Sequence, residues 1–364
     1  MHVAASMRQG WEARSRCAIP TWGARSARYM WAVHPTLSAG CWLPEVVAVV
    51  PASQWLPPTQ GRERMTMTRR EMLGVMAAGA VASVLPRFAW AAGSYPWPLG
   101  VQLWSVKDEL DQDFGGTLAQ LAKLGYREVE TAGLHGRTPQ AFREAIVQAG
   151  LKPVSAHFSM GDLFADAAGR IADARAMGVQ WIVASSPRPD KPLKEGDWIP
   201  AIRDAMTLDA WKKNAAELNR VGALAKAAGL KLGYHNHPIE FADYDGQRGY
   251  DVILKHTDPA LVKLELDVAW AVAGGVDPIA LLKKHADRIR LLHIKGLKAR
   301  PAPGTYGSDF ASGVIGTGDV LDWPPIFAAA RKAGVVHAFV EQEPPHVQPI
   351  MQSLAACRDY LQSL

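Results

Sequence analysis

From Pro98 onward the chain alternates short apolar runs with longer amphipathic segments, the pattern of a parallel α/β fold. The runs that read as strands are Leu99 to Leu103, Arg127 to Glu130, Pro153 to His157, Trp181 to Ala184, Lys231 to Tyr234, Val262 to Asp267, Ile289 to His293 and Ala338 to Glu341. Helical periodicity is expected over Thr117 to Leu124, Pro139 to Ala149, Phe164 to Met177, Leu208 to Ala228, Tyr250 to His256, Pro278 to His285, Pro324 to Ala333 and Val347 to Leu364. Pro139 stands in a first turn, and Gly150 and Gly229 stand just past helix ends, where each is favoured. Eight strand–helix pairs in about 270 residues match a (β/α)₈ TIM barrel in count and size. A doubly wound open sheet is the alternative. It is weakened because the first strand runs into Gln102-Leu103-Trp104-Ser105 rather than a glycine-rich phosphate loop.

Ahead of this body, Thr68-Arg69-Arg70-Glu71 is followed by a short apolar stretch, Gly74 to Leu85, and a small-residue site at Ala89-Trp90-Ala91. That order predicts a secretory signal over residues 65–91. The paired arginines resemble a twin-arginine signal, which implies passage through the Tat translocase to a periplasmic or secreted location. The apolar stretch is too short for a stable membrane anchor; an amphipathic helix after a basic loop is the competing reading. Residues 1–64 contain five Trp and no Lys, and read as an over-extended gene start or a disordered tail. The expected catalytic domain is a single barrel over 92–364.

The net charge of +5 divides unevenly: residues 1–91 carry +6 and residues 92–364 carry −1. The basic character lies in the leader, so a nucleic-acid partner loses its support. Cys17, Cys41 and Cys357 form no spaced set, which disfavours both a disulfide framework and a cysteine metal site.

In a barrel the C-terminal ends of all strands converge on one face. Glu130, His157, His235 to Glu240, Asp267, His293 with Lys295, and Glu341 with Glu343 all fall at such ends. Buried charges there are costly unless paired or bound to a cation. A mixed histidine–carboxylate set suits Mn²⁺, Zn²⁺, Co²⁺ or Fe²⁺ better than Ca²⁺.

Four segments carry a family resemblance: Tyr234-His235-Asn236-His237 with Glu240-Phe241, Leu266-Asp267-Val268-Ala269-Trp270, His293-Ile294-Lys295-Gly296 and Val340-Glu341-Gln342-Glu343. Together they resemble the sugar phosphate isomerase/epimerase family of the xylose-isomerase-like barrel superfamily, which also includes inosose dehydratases and keto-sugar epimerases. The likeness spans about Leu99 to Leu364. It implies a divalent metal held by Glu, Asp, His and Glu from the ends of strands five to eight. Mn²⁺ is expected first, because folding before Tat export would let it load in the cytoplasm, and Zn²⁺, Co²⁺, Fe²⁺ or Mg²⁺ otherwise. Asp267, His293 and Glu341 match the last three. At the first position stands His235, so either His235 or the later Glu240 completes the set, and His235, at the strand end, is favoured. The departure disfavours the two-glutamate proton relay of epimerase relatives.

The expected chemistry is proton abstraction next to a carbonyl of a small-molecule sugar or keto-sugar, with His237, Glu240 or Glu343 as base and Lys295 beside the developing oxyanion. Glu130 and His157 are candidates to bind hydroxyls, and Trp104 and Trp270 to stack on a sugar ring. Isomerisation or epimerisation is the expected outcome. A lyase or dehydratase acting on a keto-sugar or 3-keto-glycoside is the alternative, and a non-catalytic sugar-binding barrel the rival of another class. An exported protein lacking a phosphate loop is expected to take a free sugar, keto-sugar or glycoside rather than a sugar phosphate.

Overall fold

A computed structural model describes residues 94–302, 304–307, 310–346 and 348–364. The signal expected over residues 65–91 and residues 1–64 lie outside the described residues. Eight parallel strands close into a barrel: β1 (Gly100–Gln102), β2 (Glu128–Ala132), β3 (Lys152–Ser159), β4 (Trp181–Ser185), β5 (Lys231–His235), β6 (Val262–Asp267), β7 (Ile289–Ile294) and β8 (His337–Val340). Each strand pairs with its neighbour in sequence, and β8 closes the ring onto β1 with Gly100 beside Phe339 and Val101 beside Val340.

Side-chain alternation along the strands divides the interior into layers. Val154, Trp181, Val183, Leu291 and Phe339 pack into a small apolar cluster of their own, separate from the main core. Two residues further along the same face, β7 presents His293 after Leu291, and the end of β8 presents Glu341 after Phe339. The apolar layer thus becomes the base on which the polar residues stand. Leu264, Leu266, Leu292, Ile294, Ala338 and Val340 belong to the larger core, on the opposite parity of the same strands.

The register shifts at two places, between Val129 and Glu130 on β2 and between Leu264 and Glu265 on β6. Each irregularity immediately precedes a buried glutamate, as is common where a strand must re-aim a side chain near a site.

The sequence pattern locates all eight strands, and element ends differ by a few residues. The helix expected from Phe164 to Met177 is two, Met160–Ala165 and Ala167–Met177. Asp166 separates them, its side chain accepting from Gly169 N as the cap of the second. The final helix begins at Ile350 rather than Val347. Helices Lys107–Gln112, Trp198–Ala205 and Val268–Ala273 were not indicated by the pattern. Each spans only six to eight residues, a length over which a helical period is weakly sampled. Within the irregular stretch, Gly296–Leu297 pairs antiparallel with Ser312–Gly313. A Cβ at Gly296 would meet the Gly313 carbonyl, so only glycine permits this close approach directly after Lys295.

Candidate active site

The strand ends converge on a buried cluster. His293 lies at its centre: Nε2 is 2.7 Å from Glu130 Oε1 and 3.2 Å from Glu265 Oε2, and Nδ1 is 3.0 Å from Glu341 Oε2 and 3.8 Å from Asp267 Oδ2. His235 places Nδ1 3.2 Å from the same Glu265 oxygen. Lys295, fully buried, reaches Glu341 at 2.8 Å, Glu343 at 2.9 Å and Asp267 at 3.2 Å. On the other side, Glu130 accepts from Gln102 Nε2 and Ser155 Oγ.

Local structure fixes these groups. Asp267 closes β6 and caps the helix Val268–Ala273, its Oδ1 accepting from Trp270 N at 2.7 Å. Asn236 ties the ends of β5 and β6 together, donating to Asp267 O and accepting from Asp267 N. Pro238–Phe241 forms a short 3₁₀ turn in which Glu240 accepts from Tyr234 Oη and from the backbone of His237. Glu240 is therefore a buried brace that orients the His237 turn.

The electrostatics follow from burying several acids together. Burial, reinforced by the Glu130 carboxylate, pushes Glu265 well above the usual carboxylate range, and burial raises Asp267 to about 6 against the pull of Lys295. For Glu341 burial is outweighed by Lys295 and His293, and for Glu130 by His293, so both stay below that range. Burial would lower His293, but the charges of Glu265 and Glu341 and its hydrogen bonds to Glu130 and Glu341 raise it well above an ordinary imidazole. Burial, then the positive neighbours, lowers His235 strongly and brings His237 to about 3. His157 is also lowered, mainly by burial. The result is an ionised core around His293 and Lys295, flanked by neutral imidazoles.

Above this cluster opens a cleft of about 1290 Å³. His157, His235, His237, Trp104, Trp270, Glu341 and Glu343 line it, while Glu130, Glu265, Asp267, His293 and Lys295 are buried around its floor. Trp104 is 42% exposed at the rim and donates from its indole nitrogen to Glu343 Oε2 at 3.0 Å. Trp270 is buried, only 5% exposed, and its ring is tilted 41° against that of Phe310 with centroids 4.1 Å apart. Eleven of the twelve site residues expected from sequence thus meet at one end of the barrel, and Glu240 braces them without lining the cleft.

Sequence reasoning missed Glu265, Gln102, Ser155 and Trp198. Glu265 lies two residues inside its strand rather than at the end. Its signal was the alternation Lys263, Glu265, Asp267, which puts all three on one face of β6. Trp198 begins a helix that was not foreseen, and its ring meets His237 edge-on at 4.8 Å.

The model of the xylose isomerase-like TIM barrel family matches residues 118–360. The chain belongs to that family. Among relatives, it is 28% identical over 272 residues to a protein named inosose dehydratase from Geobacillus thermodenitrificans, covering 68% of this chain and 88% of the relative. Among solved structures, it resembles a sugar phosphate isomerase/epimerase from Parabacteroides distasonis at 25% identity and a TM-score of 0.59, over 76% of this chain and 96% of the other. A xylose isomerase-like TIM barrel protein from Mycobacterium smegmatis in complex with magnesium shares the fold at 16% identity and a TM-score of 0.50, over 73% and 96% of the two chains. The chain is thus a sugar isomerase/epimerase-like enzyme whose relatives include dehydratases.

Enzymes of this family invite the question of a metal, and the donor set fits one. His235, Asp267 and His293 bring ligating atoms within 4.8 Å of one another, as do His157, His235 and Glu265, and Glu130, Glu265 and His293. Glu265 Oε1 and His157 Nε2 are buried without a hydrogen-bond partner. Asp267 Oδ2 also lacks an aligned hydrogen bond, although Lys295 is at ion-pair distance. Buried orphan acceptors of this kind are what a cation satisfies. Glu265 beside His235 Nδ1 and Glu130 beside His293 Nε2 are placed as the outer carboxylates that orient ligating imidazoles.

Proposed function

We propose that this protein is an exported, divalent-metal-dependent isomerase or epimerase that acts on a sugar or keto-sugar by removing a proton next to a carbonyl. The observation that carries this reading is the joining of His235, Asp267, His293 and Glu341 with the buried Lys295 beneath a cleft of about 1290 Å³. His235, Asp267, His293 and Glu341 would hold the ion, with Mn²⁺ favoured if the protein folds in the cytoplasm before Tat export. When bound, the ion supplies Lewis-acid polarisation of a carbonyl and its neighbouring hydroxyl.

The chain's own groups do the rest. Glu343 faces the cleft with one oxygen on Lys295 and the other on Trp104, and is the proton acceptor on that side. His237 faces it from the β5 side, neutral, with Nδ1 unpartnered. Lys295 stays protonated, because Asp267, Glu341 and Glu343 outweigh the burial that would lower it, and donates toward negative charge developing on the substrate oxygen.

A second reading, β-elimination, is favoured by two observations. The acid/base groups on the two sides of the cleft are chemically unlike, and relatives covered to as much as 93% of their own length are named inosose dehydratase. Product analysis separates the two: metal-loaded protein is incubated with keto-sugars and glycosides, and products are followed by NMR. A stereoisomer or aldose–ketose pair supports the isomerase, and an unsaturated or dehydrated product supports the lyase. Unchanged substrates throughout contradict both.

A further inference from the structure

The cleft is larger than the about 300–1,000 Å³ of ordinary small-molecule pockets, although a single sugar needs only the floor. Its extra length has an ordered wall. Trp198, His237, Trp270 and Phe310 follow one another with ring centroids 4.8, 6.1 and 4.1 Å apart, a continuous aromatic row that runs to both sides of the His237 ring. Trp198 is 39% exposed, so the far end of that row is open to a ligand. Aromatic faces bind the C–H faces of pyranoses and flat aglycones alike, at little cost in conformational entropy.

The charge of the lining decides what else the ligand carries. Asp162, Asp166, Asp197, Glu341 and Glu343 line the cleft, and Arg170 is the one lysine or arginine among the described lining residues. Arg170 is committed elsewhere, to Asp173 at 3.0 Å and Asp166 at 3.9 Å. The lining imidazoles pack against one another, His157 on His235 and His235 on His237, each pair with ring centroids 4.9 Å apart. Lys295, below them, is shared by three carboxylates. Away from the floor, where the proposed ion would sit, no uncommitted lysine or arginine lies at the described surface of the cleft to receive a phosphate, and a dianion there would face Asp162, Asp166 and Asp197.

We infer that the site takes a neutral, two-unit ligand, a disaccharide or an aryl glycoside whose sugar ring carries a keto group, with the reacting sugar over the floor and its partner unit stacked along the Trp198 and Phe310 ends of the aromatic row. This rests on the proposed sugar chemistry at the floor and adds the class of substrate.

The test is calorimetric titration of full-length, Mn²⁺-loaded protein with glucose, galactose, their methyl and p-nitrophenyl glycosides, cellobiose, lactose and glucose 6-phosphate. At least one two-unit ligand is expected to bind about tenfold more tightly than its parent hexose, the effect of one good stacking contact. In Trp198→Ala and Phe310→Ala that advantage is expected to shrink to about twofold. Circular dichroism confirms that each variant is folded, and the conservative Trp198→Phe restores the advantage. Tighter binding of glucose 6-phosphate than of glucose, an equal affinity for one-unit and two-unit ligands, or no saccharide binding at all would overturn the inference. Failure of the proposed reaction reads differently: the two-unit preference persists while no sugar is converted.

Discussion

Lys295→Met removes the one ammonium shared by Asp267, Glu341 and Glu343 while roughly keeping the side-chain volume. Lys295 is fully buried, and two of its partners, Asp267 and Glu341, are almost so. Their charges therefore have little water to turn to. Breaking a buried pair by deleting one partner costs about 3–5 kcal/mol, because the remaining charge is left uncompensated. For a domain of this size that corresponds to a fall in Tm on the order of 10 °C. The loss should be greater at pH 8 than at pH 5, since protonation of the abandoned carboxylates relieves it. Differential scanning fluorimetry with reversible denaturant titration at the two pH values measures both effects. A second substitution, Glu343→Gln, should recover part of the loss, and the double-mutant cycle isolates the pair. A Lys295→Met variant within about 1 kcal/mol of wild type at pH 8 would show that Lys295 does not hold these carboxylates.

Three further outcomes follow from the same geometry. Asn236→Ala deletes both hydrogen bonds that seat Asp267, so metal affinity measured by competition with a chelating dye should fall about 10–100-fold; unchanged affinity would show Asp267 needs no such support. Glu240, raised by burial from 4.5 to about 8, stabilises the fold fully below the unfolded value and loses that contribution as pH rises through 8. Wild-type stability should accordingly fall between pH 5 and 8 by up to about 1.4 kcal/mol per unit relative to Glu240→Gln, whereas parallel pH profiles would reject a protonated Glu240. Chelation should lower Tm, and Mn²⁺ at about a hundred times its Kd should restore roughly 2.7 kcal/mol; a Tm indifferent to both would speak against a resident ion.

The barrel was legible because its evidence is local. Each strand is a short apolar run, and the acid or histidine near its end marks where the run leaves the core. Asp267, His293 and Glu341 could be read off in this way. Contacts between strands could not be read so directly. Glu265 sits inside β6 in what looks like ordinary alternation, and only the pairing of β6 with β5 and β7, with the register shift before it, brings it within 3.2 Å of both His235 and His293. Glu240 looked like a base because it is an acid near the β5 end, but a 3₁₀ turn directs both of its oxygens inward to Tyr234 and the His237 backbone. Trp198 escaped notice because the aromatic row it joins is assembled from four separate strand-to-helix connections.

The central claim is that a C–H bond next to a carbonyl is broken above this cluster. Deuterium wash-in tests it most directly, with Mn²⁺-loaded protein, a panel of keto-sugars and keto-glycosides in D₂O, and mass spectrometry of the recovered sugar. The account predicts incorporation next to the carbonyl of at least one substrate, slowed about 10²–10⁴-fold in Glu343→Gln, the usual contribution of a positioned base. No incorporation into any substrate by the wild-type protein would contradict it.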